Sequence, residues 1–387
     1  MSEKNADTVT LEKLTRLYLQ KQFLLSKTNQ GRIENVADAL CGLHAQAALT
    51  PYLSLWNRVK DFKSEMLDDA LHREKSLVKT WCMRGTLHII PSRDLPIYHN
   101  ALERMWFEHH GRYMREPDWP SREMRQKLFY PRILEALTEK PLRRKELDYR
   151  VLSKFADVPK PYERLFSGWG GILKETAYLG LTVHAEPCGN ESCFTRLDKW
   201  LPQIDLDEID EDEAKEQLLL KYLRGYGPAS AQDFTCWSGL MAGEARKAIE
   251  NTQSELVEVK IEGSGRILLM LKKDIKELEK IDLDEEVQLR LLPKFDSFML
   301  GHKDRSRMIK GEFMKHVYRK AGDIAASVLV NGYVAGTWKY KKTKKRLTAA
   351  ITPFERLSRE AIAELEHRVK ELGTFMKIEQ VNVVLTK

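Results

Sequence analysis

The sequence predicts the same order of elements, helices followed by a β-hairpin, three times along the chain. In the first copy, apolar residues recur at helical spacing in four segments, 11–25, 33–43, 51–60 and, more briefly, 64–73. Residues 77–90 then form two predicted strands around a turn at Arg84-Gly85. Three helices and a hairpin are the order of a winged helix, whose third helix commonly enters a DNA groove.

Two later segments repeat this order. The second has predicted helices at 125–138, 143–151 and within 168–178, and strands at 181–184 and 192–195. The third has helices at 214–226, 230–234 and 242–249, and strands at 256–261 and 266–271. The copies share a pattern with little residue identity, and such pieces also arise by chance in mixed α+β domains.

The last hundred residues follow a different pattern. Strands at 327–330 and 333–339 flank Asn331-Gly332, a strong signal for a tight hairpin turn. A second hairpin is predicted over 338–347, and its tip is almost wholly cationic. A helix at 356–372 and a strand at 380–385 complete a small, mostly antiparallel β domain.

Charge is distributed unevenly along the chain. The net charge is +7, but residues 302–346 contain 13 Lys or Arg against Asp304, Glu312 and Asp323. Residues 205–216 have the opposite bias, with eight acidic residues against Lys215. A basic surface at one end suits a polyanion, most plainly nucleic acid, and the alternative is a solvated basic face.

Composition excludes several classes of protein. With 42% hydrophobic and 31% charged residues, the chain is predicted to be globular, cytoplasmic and built from two or three domains. No apolar run approaches the roughly 18 residues of a membrane span, and the polar start Met1–Asp7 does not resemble a signal peptide. The odd number of cysteines, five, favours reduced thiols. Cys188 and Cys193 flank a Gly-Asn turn, but no second pair follows to complete a metal site.

The pair of polar residues most typical of a functional site is His44 and Gln46. Small and apolar neighbours surround them, between a predicted helix and Pro51, where a new helix can begin with Thr50 as its N-cap. Within a helix, residues two apart point in different directions, whereas a helix end can turn both toward one point. The alternative is that the two residues only cap the helix or line a turn.

Four motifs in order make the chain resemble the bacterial AlkZ-like winged-helix DNA glycosylases. The resemblance spans nearly the whole chain, and four motifs in the right order are more specific than any one alone. They are His44-Ala45-Gln46, Arg84-Gly85-Thr86-Leu87-His88, Gly227-Pro228-Ala229 with Asp233-Phe234 and Trp237-Ser238-Gly239-Leu240, and Leu292-Pro293-Lys294-Phe295-Asp296 with Gly301 and Asp304-Arg305.

The resemblance implies an α+β fold with three tandem winged-helix units and a C-terminal antiparallel β-barrel-like domain. The expected boundaries are 8–92, 93–204 and 214–285 for the winged helices, 205–213 for an acidic linker and 286–387 for the β domain. It also implies hydrolysis of the N-glycosidic bond of alkylated purines in double-stranded DNA, including bulky adducts and crosslinks. The expected enzyme is a monofunctional monomer that needs no metal or cofactor.

The family's catalytic motif is Gln, an aliphatic residue, then Gln or Asp, with His first in some members. His44 and Gln46 occupy the first and third positions here. Gln46 is expected to hold the attacking water, and neutral His44 to accept its proton. If His44 is this base, excision should slow below about pH 6.5, where imidazole gains a proton.

Other residues are expected to contact DNA or to support the fold. Asp296 and Arg305 are expected to form a structural ion pair, although both could border the site. Trp81, Trp237 and Trp338 are expected in the core rather than stacked on bases. The candidates for DNA contact are Arg84, His88, Lys303, Arg305, Lys341, Lys342, Lys344, Lys345 and Arg346.

Two other functions stay open on sequence grounds. One is a non-enzymatic winged-helix DNA-binding protein, such as a regulator, which has no use for His44 and Gln46. The other is a protein that sequesters the genotoxin itself, which needs no basic hairpin.

Overall fold

The structure, a computed structural model, describes residues 7–29, 33–110, 119–154, 162, 164–167, 170–283 and 288–386. The start of the chain, 1–6, and residues 168 and 169 of the predicted third helix in the second copy lie outside that part. The fold mixes helices with three three-stranded sheets and one five-stranded sheet. None of the helices in the described ranges has the length and hydropathy of a transmembrane segment.

The first copy of the pattern has the predicted helices and hairpin, and a short strand that was not predicted. This strand, β2, pairs with β4 at the edge of a sheet ordered β2–β4–β3. The elements are β1 (Asp7–Val9), α1 (Leu11–Lys21), α2 (Ile33–Ala39), β2 (Leu43–His44), α3 (Thr50–Arg58), α4 (Ser64–His72), β3 (Leu77–Trp81) and β4 (Leu87–Pro91).

The second copy repeats this topology, with a sheet ordered β5–β7–β6. A π-helical turn, Arg125–Phe129, joins its first two short helices. The elements are α5 (Leu95–His110), α6 (Arg122–Met124), α7 (Tyr130–Ala136), β5 (Leu142–Arg143), α8 (Arg144–Leu152), α9 (Gly171–Tyr178), β6 (Thr182–Cys188), β7 (Glu191–Arg196) and α10 (Leu197–Trp200).

The third copy takes a strand from the start of the chain. β1 pairs in parallel with β8, so residues 7–9 complete a sheet ordered β1–β8–β9. Ser230 and Asp233 form a capping box at the start of the second helix, and Gly239, at φ 88°, ends it. The elements are α11 (Glu211–Tyr226), α12 (Ala231–Ser238), α13 (Ala242–Asn251), β8 (Leu256–Ile261), β9 (Ile267–Leu271) and α14 (Ile275–Glu279).

The C-terminal segment forms one sheet ordered β10–β11–β12–β13–β14. The expectation of an antiparallel sheet is wrong at one edge, because β14 runs parallel to β13 after the crossover helix α17. In the described residues β10 and β14 do not pair, so the sheet is open. The elements are β10 (Leu289–Leu292), α15 (Ser297–Leu300), α16 (Met314–Val317), β11 (Ser327–Val330), β12 (Tyr333–Lys342), β13 (Arg346–Pro353), α17 (Arg359–Phe375) and β14 (Gln380–Leu385).

Shared hydrophobic cores join these segments. One core contains residues from all four segments, including Trp81 and Trp237. A second core packs Leu43 and Ala45, which flank His44, with Trp338 of the C-terminal sheet. The three tryptophans are between 3% and 9% exposed, which confirms their predicted place in the core. The C-terminal sheet therefore lies directly behind the segment that carries His44.

Candidate active site

A sharp backbone turn places His44. Cys41 and Gly42 have φ values of 48° and 103°, in the left-handed region, and the amide of Gly42 donates to the Ala37 carbonyl to end α2. A Cβ atom at position 42 would lie 2.9 Å from a methyl carbon of Ile90. Glycine is therefore required both for the turn and for its close approach to β4.

His44 lies in a strand and is buried. It is the Cα partner of His88 in β4, and the two rings meet edge to face with centroids 5.1 Å apart. On its other side the ring stacks on Phe295, also at 5.1 Å. Only 4% of His44 is exposed. The sequence correctly placed His44 between two helices, but the short strand and the burial were not predicted.

Gln46 is exposed next to His44. Its side-chain Oε1 accepts a hydrogen bond from the Leu87 amide at 3.3 Å. Its own backbone amide donates to Nδ1 of His44 at 3.5 Å, a long and therefore weak bond. The strand ends at His44 and the chain bends at Gln46, and this backbone contact keeps the two residues next to each other.

Both histidines at this site are neutral at pH 7. Burial, with smaller contributions from the neighbouring His88 and from the positive charge of Arg84, holds the pKa of His44 well below 6.5. Burial also lowers the pKa of His88 to about 3. The Nδ1 atom of His88 donates to the Thr86 carbonyl at 2.9 Å, which fixes its tautomer. In neutral His44 the nitrogen with the lone pair is Nδ1, which already accepts the long, weak bond from the Gln46 amide. This bond must give way before Nδ1 takes a proton from a water.

The loop that carries Phe295 is fixed to α3 by a buried ion pair. Asp296 accepts from Arg58 Nη1 and Nη2 at 2.9 and 2.7 Å and from the Ser54 hydroxyl at 2.9 Å. Phe295 itself has a φ of 58°, which is uncommon for a non-glycine residue. This ion pair therefore holds the aromatic ring that covers His44.

Two predictions about this loop are wrong. Asp296 pairs with Arg58 rather than with Arg305, whose guanidinium stacks 3.6 Å from the centroid of the Tyr318 ring. Thr50 is the first residue of α3 rather than its N-cap, and its hydroxyl donates to the Lys294 carbonyl at 2.7 Å. Both side chains have partners far away in sequence, which local patterns do not reveal.

The first hairpin contacts the third copy of the pattern through Arg84. Its Nη1 donates to the carbonyls of Cys236 and Trp237, at 3.1 and 2.8 Å, near the C-terminal end of α12. These carbonyls carry the negative end of the helix dipole, which a guanidinium stabilises. Arg84 therefore has a structural partner, whatever its contact with DNA.

A cleft of about 570 Å³ lies beside Gln46, between the first two copies of the pattern. Its walls are rich in cations, and burial lowers the pKa of one of them, Lys174, to about 8. Of these cations, Arg84 was a sequence-based candidate for DNA contact, whereas Arg144, Lys145 and Lys174 were not predicted, although the basic run Arg143-Arg144-Lys145 is a visible signal. The lining residues are Gln46, Trp81, Arg84, Gly85, Thr86, Leu87, Arg144, Lys145, Gly170, Leu173, Lys174, His184, Asn190, Glu191, Ser192 and Phe194.

The basic hairpin of the C-terminal sheet is formed by β12 and β13, as predicted. Its cations, Lys341, Lys342, Lys344, Lys345 and Arg346, are all exposed. Lys303 is exposed on a separate loop, where its backbone amide donates to Asp233 at 2.8 Å. Within the described ranges, no three or more His, Cys, Asp or Glu side chains converge as a metal site.

Comparison with known proteins identifies the family. The family model for AlkZ-like DNA glycosylases matches residues 37–375. An interstrand DNA cross-link repair glycosylase from Streptomyces sahachiroi is 30% identical over 376 residues, covering 92% of this chain and 94% of the relative. The solved structure of the S. sahachiroi DNA glycosylase AlkZ superposes with a TM-score of 0.81 at 26% identity, covering 98% of this chain and 100% of that one. The chain therefore belongs to the AlkZ-like DNA glycosylase family.

Proposed function

We propose that this protein is a monofunctional DNA glycosylase that removes purines alkylated at N7 of guanine or N3 of adenine, including crosslinked ones. The observation that carries the proposal is a neutral His44 against an exposed Gln46 at the wall of a cationic cleft. The family match and the crosslink-repair glycosylase among its relatives support the same reaction.

The modest site suits the chemistry of these lesions. A purine alkylated at N7 or N3 is cationic and leaves readily, so no strong general acid is needed to protonate it. The remaining requirements are to stabilise an oxocarbenium-like sugar and to position a water. The Gln46 amide holds the water, and neutral His44 accepts its proton. His88 and Phe295 contact the His44 ring on two sides and hold its orientation.

The fold supports a DNA-binding assignment. We propose that residues 8–92, 93–204 and 214–285 are three winged-helix units and that 286–387 forms the C-terminal β domain. Each unit has helices and a three-stranded sheet, the third completed by β1. In this proposal the cations of the cleft and of the basic hairpin bind phosphates of double-stranded DNA, and the exposed Lys303 is a further candidate.

One assay tests the reaction. DNA carrying N7-methylguanine is incubated with the protein in EDTA and then heated in alkali, which breaks strands at abasic sites. Breaks at the lesion, and none in undamaged DNA, are the expected result. Binding of the DNA without breaks would instead support a regulator, and the chelator tests the expectation that no metal is required.

A DNA affinity that falls steeply with salt is the second expectation. Each phosphate neutralised by the protein contributes about −0.9 to the slope of log affinity against log salt. Changing Lys341, Lys342, Lys344, Lys345 and Arg346 to Ser should therefore make the slope shallower by up to about 4.5. The measurement is fluorescence anisotropy from 50 to 200 mM salt, in the range where such slopes are resolved.

The control variant is Lys276→Ser with Lys280→Ser, which removes exposed charges at α14. If the change in slope per charge removed is the same for both variants, the hairpin has no specific role in DNA binding.

The pH dependence of excision should differ from that of an ordinary histidine base. Because burial lowers the pKa of His44 well below 6.5, the neutral, active ring persists below that pH. The rate should stay flat as pH falls through 6.5 and drop only well below it. His44→Gln should retain activity, since family members carry Gln there, and should lose this fall in rate at acidic pH.

The readout for both proteins is single-turnover excision from pH 8 downward, with circular dichroism to confirm folding. If the wild-type excision rate instead falls around pH 6.5, and His44→Gln removes this fall, then the His44 ring is not desolvated during catalysis.

A further inference from the structure

The hairpin of the second winged-helix unit contains two cysteines on one face. β6 and β7 meet at the turn Gly189-Asn190, where Gly189 has a φ of 67°. The register pairs Ala185 with Cys193 but Cys188 with Glu191, so a bulge gives β6 one residue more than β7. This bulge shifts Cys188 toward Cys193, its diagonal neighbour on the other strand.

The two thiols are in direct contact. The Sγ atoms of Cys188 and Cys193 lie 2.6 Å apart, already close to the length of a covalent bond between sulfurs, about 2.05 Å. Cys188 is exposed, whereas Cys193 is buried. Burial raises the pKa of the Cys193 thiol to about 12, so Cys193 is held in its protonated form. One sulfur can thus meet a reagent from solution while the other is held behind it.

We propose that Cys188 and Cys193 form a redox site, closing to an intrachain disulfide when a low-molecular-weight disulfide such as glutathione disulfide accumulates. The Cys188 thiolate attacks one sulfur of the reagent and releases one thiolate as leaving group. The Cys193 thiol then gives its proton to solvent and attacks Sγ of Cys188, which releases the second thiolate. The protein dithiol is oxidised, and the reagent is reduced to two thiols.

The oxidised form fixes one wall of the cleft. Asn190, Glu191 and Ser192 lie between the two cysteines and line the cleft beside Gln46. Cys193 is also the Cα partner of Arg143 in β5, just before the cleft residues Arg144 and Lys145. A crosslink therefore ties the turn end of β6 to β7, next to the strand that precedes those cations. That this wall faces DNA rests on the proposed function, whereas the thiol chemistry does not.

The test uses the full chain without DNA, so its failure would leave the glycosylase proposal untouched. The protein is equilibrated in mixtures of reduced and oxidised glutathione, quenched in acid, denatured and alkylated with N-ethylmaleimide. Trypsin should cut after Lys174 and Arg196 and release one peptide that holds Cys188 and Cys193 and no other cysteine. On oxidation both alkylation sites of this peptide should be lost together. Its mass should then be that of the unalkylated, reduced peptide less two hydrogen atoms. Cys236→Ser, which removes the other exposed cysteine, should behave like the wild type.

Cys188→Ser distinguishes a pair from two independent thiols. Its substitution site is exposed, so the fold should be retained, and Cys193 should remain fully alkylated after the same treatment. Glutathione attached to Cys188 with Cys193 free at every ratio would overturn the proposal, as would a link from either cysteine to Cys236.

Discussion

Gln46→Ala should abolish most single-turnover excision, because the water that His44 is proposed to deprotonate loses its position; loss of that general-base step alone is worth about 10²–10⁴-fold. DNA affinity should stay near that of the wild type, because the proposed phosphate contacts lie on other residues. The fold should also tolerate the change, since the exposed side chain has a single hydrogen bond, to the Leu87 amide. The measurement is excision of N7-methylguanine under saturating enzyme, with anisotropy for affinity.

Gln232→Ala provides the matched control. Gln232 is an exposed glutamine on α12, away from the cleft-lining residues, so its loss should leave the rate unchanged. Full activity in Gln46→Ala would remove this residue from the mechanism. Equal losses of rate and of affinity would instead assign Gln46 to DNA binding.

Asp296→Ala should destabilise the protein by about 3–5 kcal/mol, the usual cost of leaving one member of a buried ion pair without its partner. Both side chains of the Arg58–Asp296 pair are fully buried, so the substitution leaves the Arg58 charge buried without its counter-charge. The variant should also lose excision, because Phe295 is no longer held against His44. Urea unfolding followed by circular dichroism measures the first effect.

Glu355→Ala serves as the control for this variant. It breaks the ion pair with Lys310, whose side chains are both mostly exposed, and should leave stability nearly unchanged. A loss in Asp296→Ala no larger than in this control would show that Arg58 finds another partner. If Asp296→Ala shows the expected loss, adding Arg58→Leu should restore part of the stability, since it removes the unpaired charge.

Local sequence signals predicted much of the fold. Asn331-Gly332 gives two consecutive positive φ values, 49° and 84°, as a tight hairpin turn requires. The last strand, predicted at 380–385, has the same bounds in the structure. In both cases the deciding physics acts within a few residues, through backbone conformation or alternating side chains.

Contacts between distant residues were not predictable in this way. The two-residue strand Leu43–His44 is too short for a visible period, and it exists because β4 pairs with it. The parallel pairing of β1 with β8 joins residues about 250 positions apart, with no local mark in either segment. For the candidate site, residue type drew attention to His44 and Gln46, which lie in contact in the structure, whereas the aromatic cover of His44 and the cationic cleft follow only from tertiary structure.

The buried ion pair between Arg58 and Asp296 also has a consequence for protein synthesis. Its two residues are 238 positions apart, so the contact order at this site is high and its closure requires a long loop. During synthesis, domains fold as their segments emerge, N-terminal ones first. His44 is made early, but Phe295 can cover it only after most of the chain has left the ribosome. We therefore expect nascent chains to acquire catalytic competence late in translation, after the segments that form the cleft beside Gln46 have already been made.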